Sequence, residues 1–271
     1  MRVGLKIFCL TFLLLCLIGA FLIFPQNLSK KAGFRIKSGM TKWVKPLLIH
    51  YTPGLSFAQE SNANNKTYTG AKMIKLPKPD YQGISLEEAI KKRRSVRSYS
   101  KKALTLPQLS QLLFAGQGVT GSMYGHDLRA APSAGALYPI EVYLVVNNVE
   151  ELSRGIYHYN VQKHALELLK EGDFRKEITN AGLWQDMLGE ANVTFVLSAV
   201  FERTRRKYKD RSLRYIYMES GHISQNISLQ AVSLGLGSVC VGAFYDEQVN
   251  HLIGLDGNTE SAIYLQAVGT L

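Results

Sequence analysis

Residues 131–146, "APSAGALYPIEVYLVV", join two kinds of sequence at one point. The second half, IEVYLVV at 140–146, is too apolar and too β-branched for a surface helix, so it reads as a buried strand. The first half is small residues and a proline, and a loop without bulky side chains lets backbone come close to a flat ligand. A ligand site at the entrance to a buried strand is therefore the first expectation.

Working outward, VTFVLSAV at 193–200 repeats the buried-strand pattern, and GIYHYNVQKHALELL at 155–169 alternates about a polar turn as a hairpin does. SLEE at 85–88 and TLPQ at 105–108 are capping boxes that start helices, the second with Pro107 in its first turn. A helical pattern runs from Leu213 to Leu234 and stops at Gly235, before the last strands in SVCVGAF (238–244) and SAIYLQAVG (261–269). The fold class expected is α/β (α+β), with strands and helices interleaved in one domain over 81–271. GQGVTG at 116–121 matches the letters of a dinucleotide loop, but a helix feeds it where that motif needs a strand. It is expected to be a helix stop and a mobile loop.

The chain carries 32 Lys and Arg against 21 Asp and Glu. Residues 1–58 hold eight of the cations and no acid, leaving 24 against 21 in the remainder, so the folded part is only mildly basic and nucleic acid is not expected as a partner. Within that first segment, residues 7–24 form an uncharged apolar run of 18 residues, about the minimum for crossing a hydrocarbon core. We expect residues 1–39 to be a membrane anchor or signal region, with an alternative start at Met40 and cleavage after Ser56-Phe57-Ala58. Cations on both sides of the run leave its orientation, and the side of the membrane, open. Residues 40–80 read as a polar tether.

Three cysteines, Cys9, Cys16 and Cys240, leave one in the domain and exclude an intrachain disulfide there. The six histidines show no ligand spacing, so no metal is expected. Cys240 reads as a small buried strand residue, His222 as a packing or interface residue, and the run at 203–211, RTRRKYKDR, as a solvated basic loop.

Arg93, Arg94, Ser95 and Arg97 fall within five residues at the exit of the first helix. Cations at a helix C-terminus are favourable without any ligand. Set beside the small-residue loop, however, guanidinium groups for a phosphate suggest a nucleotide-like cofactor.

Together RRSVRSY (93–99), the 131–146 stretch, RYIYMESGHISQN (214–226), GLGSVCVGAF (235–244) and YLQAVG (264–269) resemble the nitroreductase-like flavoproteins, specifically the SagB-like (thiazole/oxazole dehydrogenase) branch. The resemblance implies a mixed sheet flanked by helices, a homodimer, and FMN at its interface. It assigns Arg93, Arg94, Ser95 and Arg97 to the phosphate and the flavin N1/O2 edge, and Pro132, Ser133, Ala134, Gly135 and Leu137 to a loop often donated by the partner subunit. Val241, Gly242 and Ala243 fall beside flavin N5, and Lys207 and Tyr208 match a Lys-Tyr pair at the active site of azole-forming relatives. NAD(P)H is a candidate reductant. Many relatives carry a basic residue near the C-terminus that reaches the phosphate, and VGTL has none. The alternative is a membrane-tethered, non-catalytic interaction protein that kept the fold and lost the flavin. Within the enzyme class, quinone or nitro reduction and azoline oxidation both stay open. The dimer is expected to bury the long helix, with Ile216, Ile223, Ile227, Leu229 and Leu234 at the contact.

Overall fold

The computed structural model describes residues 65–123 and 125–271. The expected anchor or signal region, the alternative start at Met40, Cys9 and Cys16 lie outside them. Among the described residues no helix is long and apolar enough to cross a membrane.

Seven strands form one sheet: β1 (Lys72–Lys75), β4 (Ile140–Val146), β5 (Gly155–Asn160), β6 (Ala165–Glu171), β7 (Val193–Val200), β8 (Leu236–Val241) and β9 (Glu260–Thr270). Their order is β1-β6-β5-β4-β7-β9-β8. A separate ribbon pairs β2 (Val119–Met123) with β3 (His126–Arg129). The helices are α1 (Leu86–Lys92), α2 (Leu106–Gln117), α3 (Arg175–Ala181), α4 (Asp186–Glu190), α5 (Phe201–Tyr208), α6 (Ser212–Ser233) and α7 (Asp246–Ile253).

Every residue of β4 is buried because both faces of the sheet are covered. Ile140, Val142, Leu144 and Val146 pack under α2 and α6, with Leu109, Leu112, Leu113, Ile216, Ile223 and Ile227. Tyr143 and Val145 face the other way, towards Ile178 of α3 and Val249 and Ile253 of α7. A strand enclosed on both sides cannot alternate apolar with polar residues, which is why IEVYLVV reads as it does.

Several expectations need correcting. The sheet expected to be mixed has only antiparallel ladders among the described strands; parallel contact is confined to the single bridges Ser95–Ser238 and Leu104–Val149. The element order is thus α+β. Residues 72–75, expected in the tether, pair with β6, and Leu76 is buried beyond them. An Asn/Lys-rich composition hid one short edge strand. The 116–121 segment is no loop: Gly118 caps α2 and the chain enters β2 at once. Gly116 is there for packing, since a Cβ would lie 3.2 Å from Ile227 on α6. The basic run at 203–211 is helical, being α5 and a 3₁₀ turn at Lys209–Arg211, because Arg, Lys and Glu are good helix formers and Thr204 and Arg203 turn inward. Finally, Ile216, Ile223 and Ile227 are buried within their own subunit; the apolar side chains α6 exposes are Leu213, Tyr217 and Met218.

Of the capping boxes, Thr105 and Gln108 form theirs completely. Ser85 accepts from the Glu88 amide at 3.1 Å, but the Glu88 carboxylate turns to Lys92 at 2.5 Å.

Candidate active site

The predicted site residues fall into two groups. The first lies along β8, the sheet edge. Ser95 bridges Ser238 in parallel, with the Val96 amide donating to the Ser238 carbonyl at 2.9 Å. That bridge runs the cationic stretch towards the same end as β8, where Val241 gives way to exposed Gly242 and Ala243. Tyr99 lies within electrostatic reach of both Arg97 and Cys240, and burial pushes its phenol above the ordinary range.

The cations of this stretch are not equivalent. Arg94 turns back on α1 and donates to the carbonyls of Lys91 at 3.1 Å and Arg93 at 2.7 Å. It caps the helix end, as its negative pole favours without any ligand. No hydrogen bond or ion pair engages the side chains of Arg93 and Arg97 among the described residues, and Arg97 is exposed. Two uncommitted guanidinium groups fit a phosphate dianion. A Cβ on Gly242 would meet only the Tyr264 ring, at 3.7 Å, so this backbone has room beside it. The residues present therefore fit FMN.

Sequence reasoning missed what braces Gly242 and Ala243. Gln185 donates its amide to the Ala243 carbonyl at 3.0 Å and to Gly182 at 2.7 Å, and the Tyr245 amide bonds the Ala181 carbonyl at 2.7 Å. Between them Leu183 and Trp184 take φ of 59° and 56°, a left-handed conformation costly for bulky residues. Trp184 is 66% exposed and meets Tyr245 edge-on, with ring centroids 5.9 Å apart. Trp184 and Tyr245 thus pair within the segment that braces Ala243. The one hint in sequence is Gly182-Leu-Trp, an exposed tryptophan after a turn residue.

The second group surrounds the small-residue loop. Ser133 Oγ accepts from the Tyr138 amide at 2.9 Å, closing the loop ahead of β4. Pro132 is exposed, Ala134 is half-buried and Leu137 is buried. Gly135 sits at φ 67° inside a 3₁₀ turn; a Cβ there would lie 3.0 Å from Tyr208 Oη and 3.2 Å from Lys207 Nζ. The structure thus brings Lys207 and Tyr208 onto the loop, four and five residues on from Arg203. The Tyr208 ring meets Tyr215 with centroids 4.6 Å apart; burial, then Tyr215, pushes its phenol up.

α5 is pinned from beneath. Arg203 donates to the Tyr138 carbonyl at 3.0 Å and pairs with Glu141 at 2.6 Å. Glu141 also meets His158, and His158 meets Glu167, each at 2.8 Å and fully enclosed. Burial alone would raise the Glu141 pKa, yet the His158 hydrogen bond and the Arg203 charge hold it below the ordinary range. The buried carboxylate is thereby a fixed anchor for Arg203. Sequence could not show this, because Glu141, His158 and Glu167 are neighbours only across β4, β5 and β6.

α6 serves both groups. Ser224 lies 2.9 Å from Cys240 Sγ on β8, Tyr215 meets Tyr208, and between them Glu219 is buried with no hydrogen bond to its Oε1. Cys240 is half-buried and hydroxyl-bonded, in keeping with its reading as a strand residue. His222 is exposed. No hydrogen bond joins Arg93 or Arg97 to residues 132–137 among the described residues.

Comparison with known proteins agrees with this geometry. The model of the Nitroreductase family matches residues 90–270. A candidate nitroreductase of Methanocaldococcus jannaschii, MJ1384, is 39% identical over 196 residues, 72% of this chain and 96% of that protein. The microcin B17-processing protein McbC of Escherichia coli is 32% identical over 54% of this chain and 55% of its own length. Among solved structures, a candidate nitroreductase of Ralstonia eutropha superposes with a TM-score of 0.64 at 30% identity, over 75% of this chain and 91% of that one. The expected resemblance to the SagB-like branch is thus shown, as is a nitroreductase-like α+β fold.

Proposed function

Because the chain belongs to the nitroreductase family, we propose that it is an FMN-dependent oxidoreductase that moves a hydride between flavin and a small molecule or peptide. The observation that carries this reading is the uncommitted pair Arg93 and Arg97 running along β8 to the open backbone at Gly242. FMN, when bound, would supply a two-electron carrier that takes or returns a hydride. Arg93 and Arg97, with Ser95, hold its phosphate and its electron-rich edge. Val241, Gly242 and Ala243 leave it backbone room, and Trp184 with Tyr245 forms a wall for a planar substrate.

Lys207 and Tyr208 bind and orient the substrate and hold the proton that must leave carbon when a ring is oxidised. Their placement on Gly135 supports a peptide-azoline oxidase reading, as does the McbC relationship. The second reading, NAD(P)H-dependent reduction of quinones or nitro compounds, draws on MJ1384, which the match covers almost completely. Oxygen uptake with azoline peptides against NAD(P)H oxidation with menadione and nitrofurazone separates the two. A protein that neither carries nor takes up FMN would instead be the non-catalytic interaction protein.

We further place the site at a homodimer interface, with residues 132–137 and Lys207–Tyr208 serving the partner subunit's flavin. The lack, among the described residues, of a hydrogen bond from Arg93 or Arg97 to residues 132–137, and the exposure of Leu213, Tyr217 and Met218, support that arrangement. Sedimentation at twice the chain mass is expected. The apolar run at 7–24 holds the enzyme at a membrane.

A further inference from the structure

Residues 65–68, Asn-Lys-Thr-Tyr, precede β1 and lie outside the stretch that matches the family, 90–270. They nevertheless reach β3, β4, β6 and β9. Lys66 Nζ pairs with Glu260 at the start of β9 at 2.5 Å and donates to Tyr143 Oη on β4 at 2.7 Å. Tyr68 Oη lies 2.9 Å from the same phenol, and the Tyr68 amide donates to Glu167 on β6 at 3.3 Å. Asn65 Oδ1 accepts from Arg129 of β3 at 2.5 Å.

Each of these contacts leads to the Gly135 half of the site. Glu260 pairs across the ladder with Val200, the residue before α5, and its carboxylate accepts from Ser198 at 2.6 Å. Glu167 leads through His158 and Glu141 to Arg203 inside α5, and the Tyr68 ring covers His158 with centroids 5.2 Å apart. Arg129 stacks over the Tyr138 ring at 4.4 Å, and its amide donates to Tyr138 Oη at 3.2 Å. Tyr138 and Ala136 hold φ of 45° and 54°, a strained conformation that persists only where surrounding contacts impose it.

Charge shows what the segment contributes. Glu141, Glu167 and Glu260 are carboxylates no more than 6% exposed. Arg203 answers Glu141, and His158 lies between Glu141 and Glu167. Lys66 answers Glu260, and it comes from outside the stretch the family shares. Removing one member of a buried pair leaves the other charge uncompensated, which costs more than the pair contributes.

We propose that residues 65–68 form a strap in which Lys66 and Tyr68 are positioning residues, holding α5 and the 133–138 loop so that Lys207 and Tyr208 stay seated against Gly135. The functional unit thus begins near residue 65 and not at the family boundary. This rests on the reading of Lys207 and Tyr208 as the reacting pair.

Hydrogen–deuterium exchange on the full chain in detergent, set beside turnover, tests the strap. In Lys66→Met, exchange should rise about tenfold over 201–208 and 133–138 while β8 keeps its wild-type rates. Oxygen uptake with an azoline peptide should fall about tenfold or more through kcat, with FMN affinity unchanged. Lys66→Arg, which keeps the charge, should recover most of both losses. Unchanged exchange at α5, exchange raised equally at β8, or no recovery in Lys66→Arg overturns the proposal. So does full turnover in Lys66→Met where Lys207→Ala is slow. Should Lys66→Met fail to fold, Asn65→Ala decides: it removes an acceptor from Arg129 and should raise exchange over 133–138, and unchanged exchange there overturns the strap. If Lys207→Ala and Tyr208→Phe turn over fully, or the azoline peptide is not oxidised at all, the reading of the reacting pair fails while the exchange result still decides for or against the strap.

Discussion

The two halves of the site are built on opposite principles. Along β8 the candidate groups are the cations of a stretch that one bridge and one amide hydrogen bond hold to the edge strand, Arg97 exposed and Arg93 half-buried. Around Gly135 they stand on a buried network, with Arg203, Glu141, His158 and Glu167 locked together beneath α5. An exposed guanidinium contributes to ligand binding without carrying the fold, whereas a buried charge carries both. Mutations in the first half should therefore change affinity and leave stability alone, and those in the second should move stability and turnover together.

The largest effect should fall on the exposed half. Replacing both Arg93 and Arg97 with Ala removes two charge-assisted contacts of about 1.5–3 kcal/mol each, so FMN affinity should fall on the order of a hundredfold or more. Fluorescence titration measures it, and the thermal midpoint should hardly move. A change under about threefold would make the stretch a solvated helix end throughout.

Glu219 sharpens the contrast through stability. Its pKa is raised on folding from an ordinary 4.5 to about 7. A raised carboxyl stabilises the fold while protonated: the contribution is full below about pH 4.5 and is lost as pH rises through about 7. At most about 3 kcal/mol is involved. The melting temperature of the wild type should fall relative to Glu219→Gln across that window and run parallel to it above. Equal slopes for the two proteins would put the carboxyl in water.

Lys207→Ala and Tyr208→Phe should each leave FMN bound and lower turnover about tenfold or more. Unchanged turnover in both, with whichever substrate the screen identifies, would make the pair structural and favour simple reduction of quinones or nitro compounds. The smallest effect belongs to Arg94→Ala. Because Arg94 is spent on α1 carbonyls, its loss should cost FMN affinity less than Arg93→Ala or Arg97→Ala alone. A loss as large as theirs would erase the distinction within the cationic stretch.

These contrasts mirror what sequence could and could not reveal. IEVYLVV and VTFVLSAV were legible because burial on both faces leaves no room for polar residues, and α6 because its period holds for 22 residues. The cationic stretch and the small-residue loop were legible because each is local. What escaped depends on contacts between distant elements: β1 on the edge, the 203–211 helix held by Glu141, the brace from Gln185 to Ala243, and the orphan oxygen of Glu219. The isoleucines of α6 misled in another way. Their face is apolar as the sequence indicates, but its partner is α2 of the same subunit.

The central proposal, that Arg93 and Arg97 hold the phosphate and the electron-rich edge of FMN, is met most directly by the colour of the protein. The full chain purified in detergent should be yellow, and heating should release FMN and no FAD in about one equivalent per subunit. Colourless protein that also fails to quench the fluorescence of added FMN would contradict the claim.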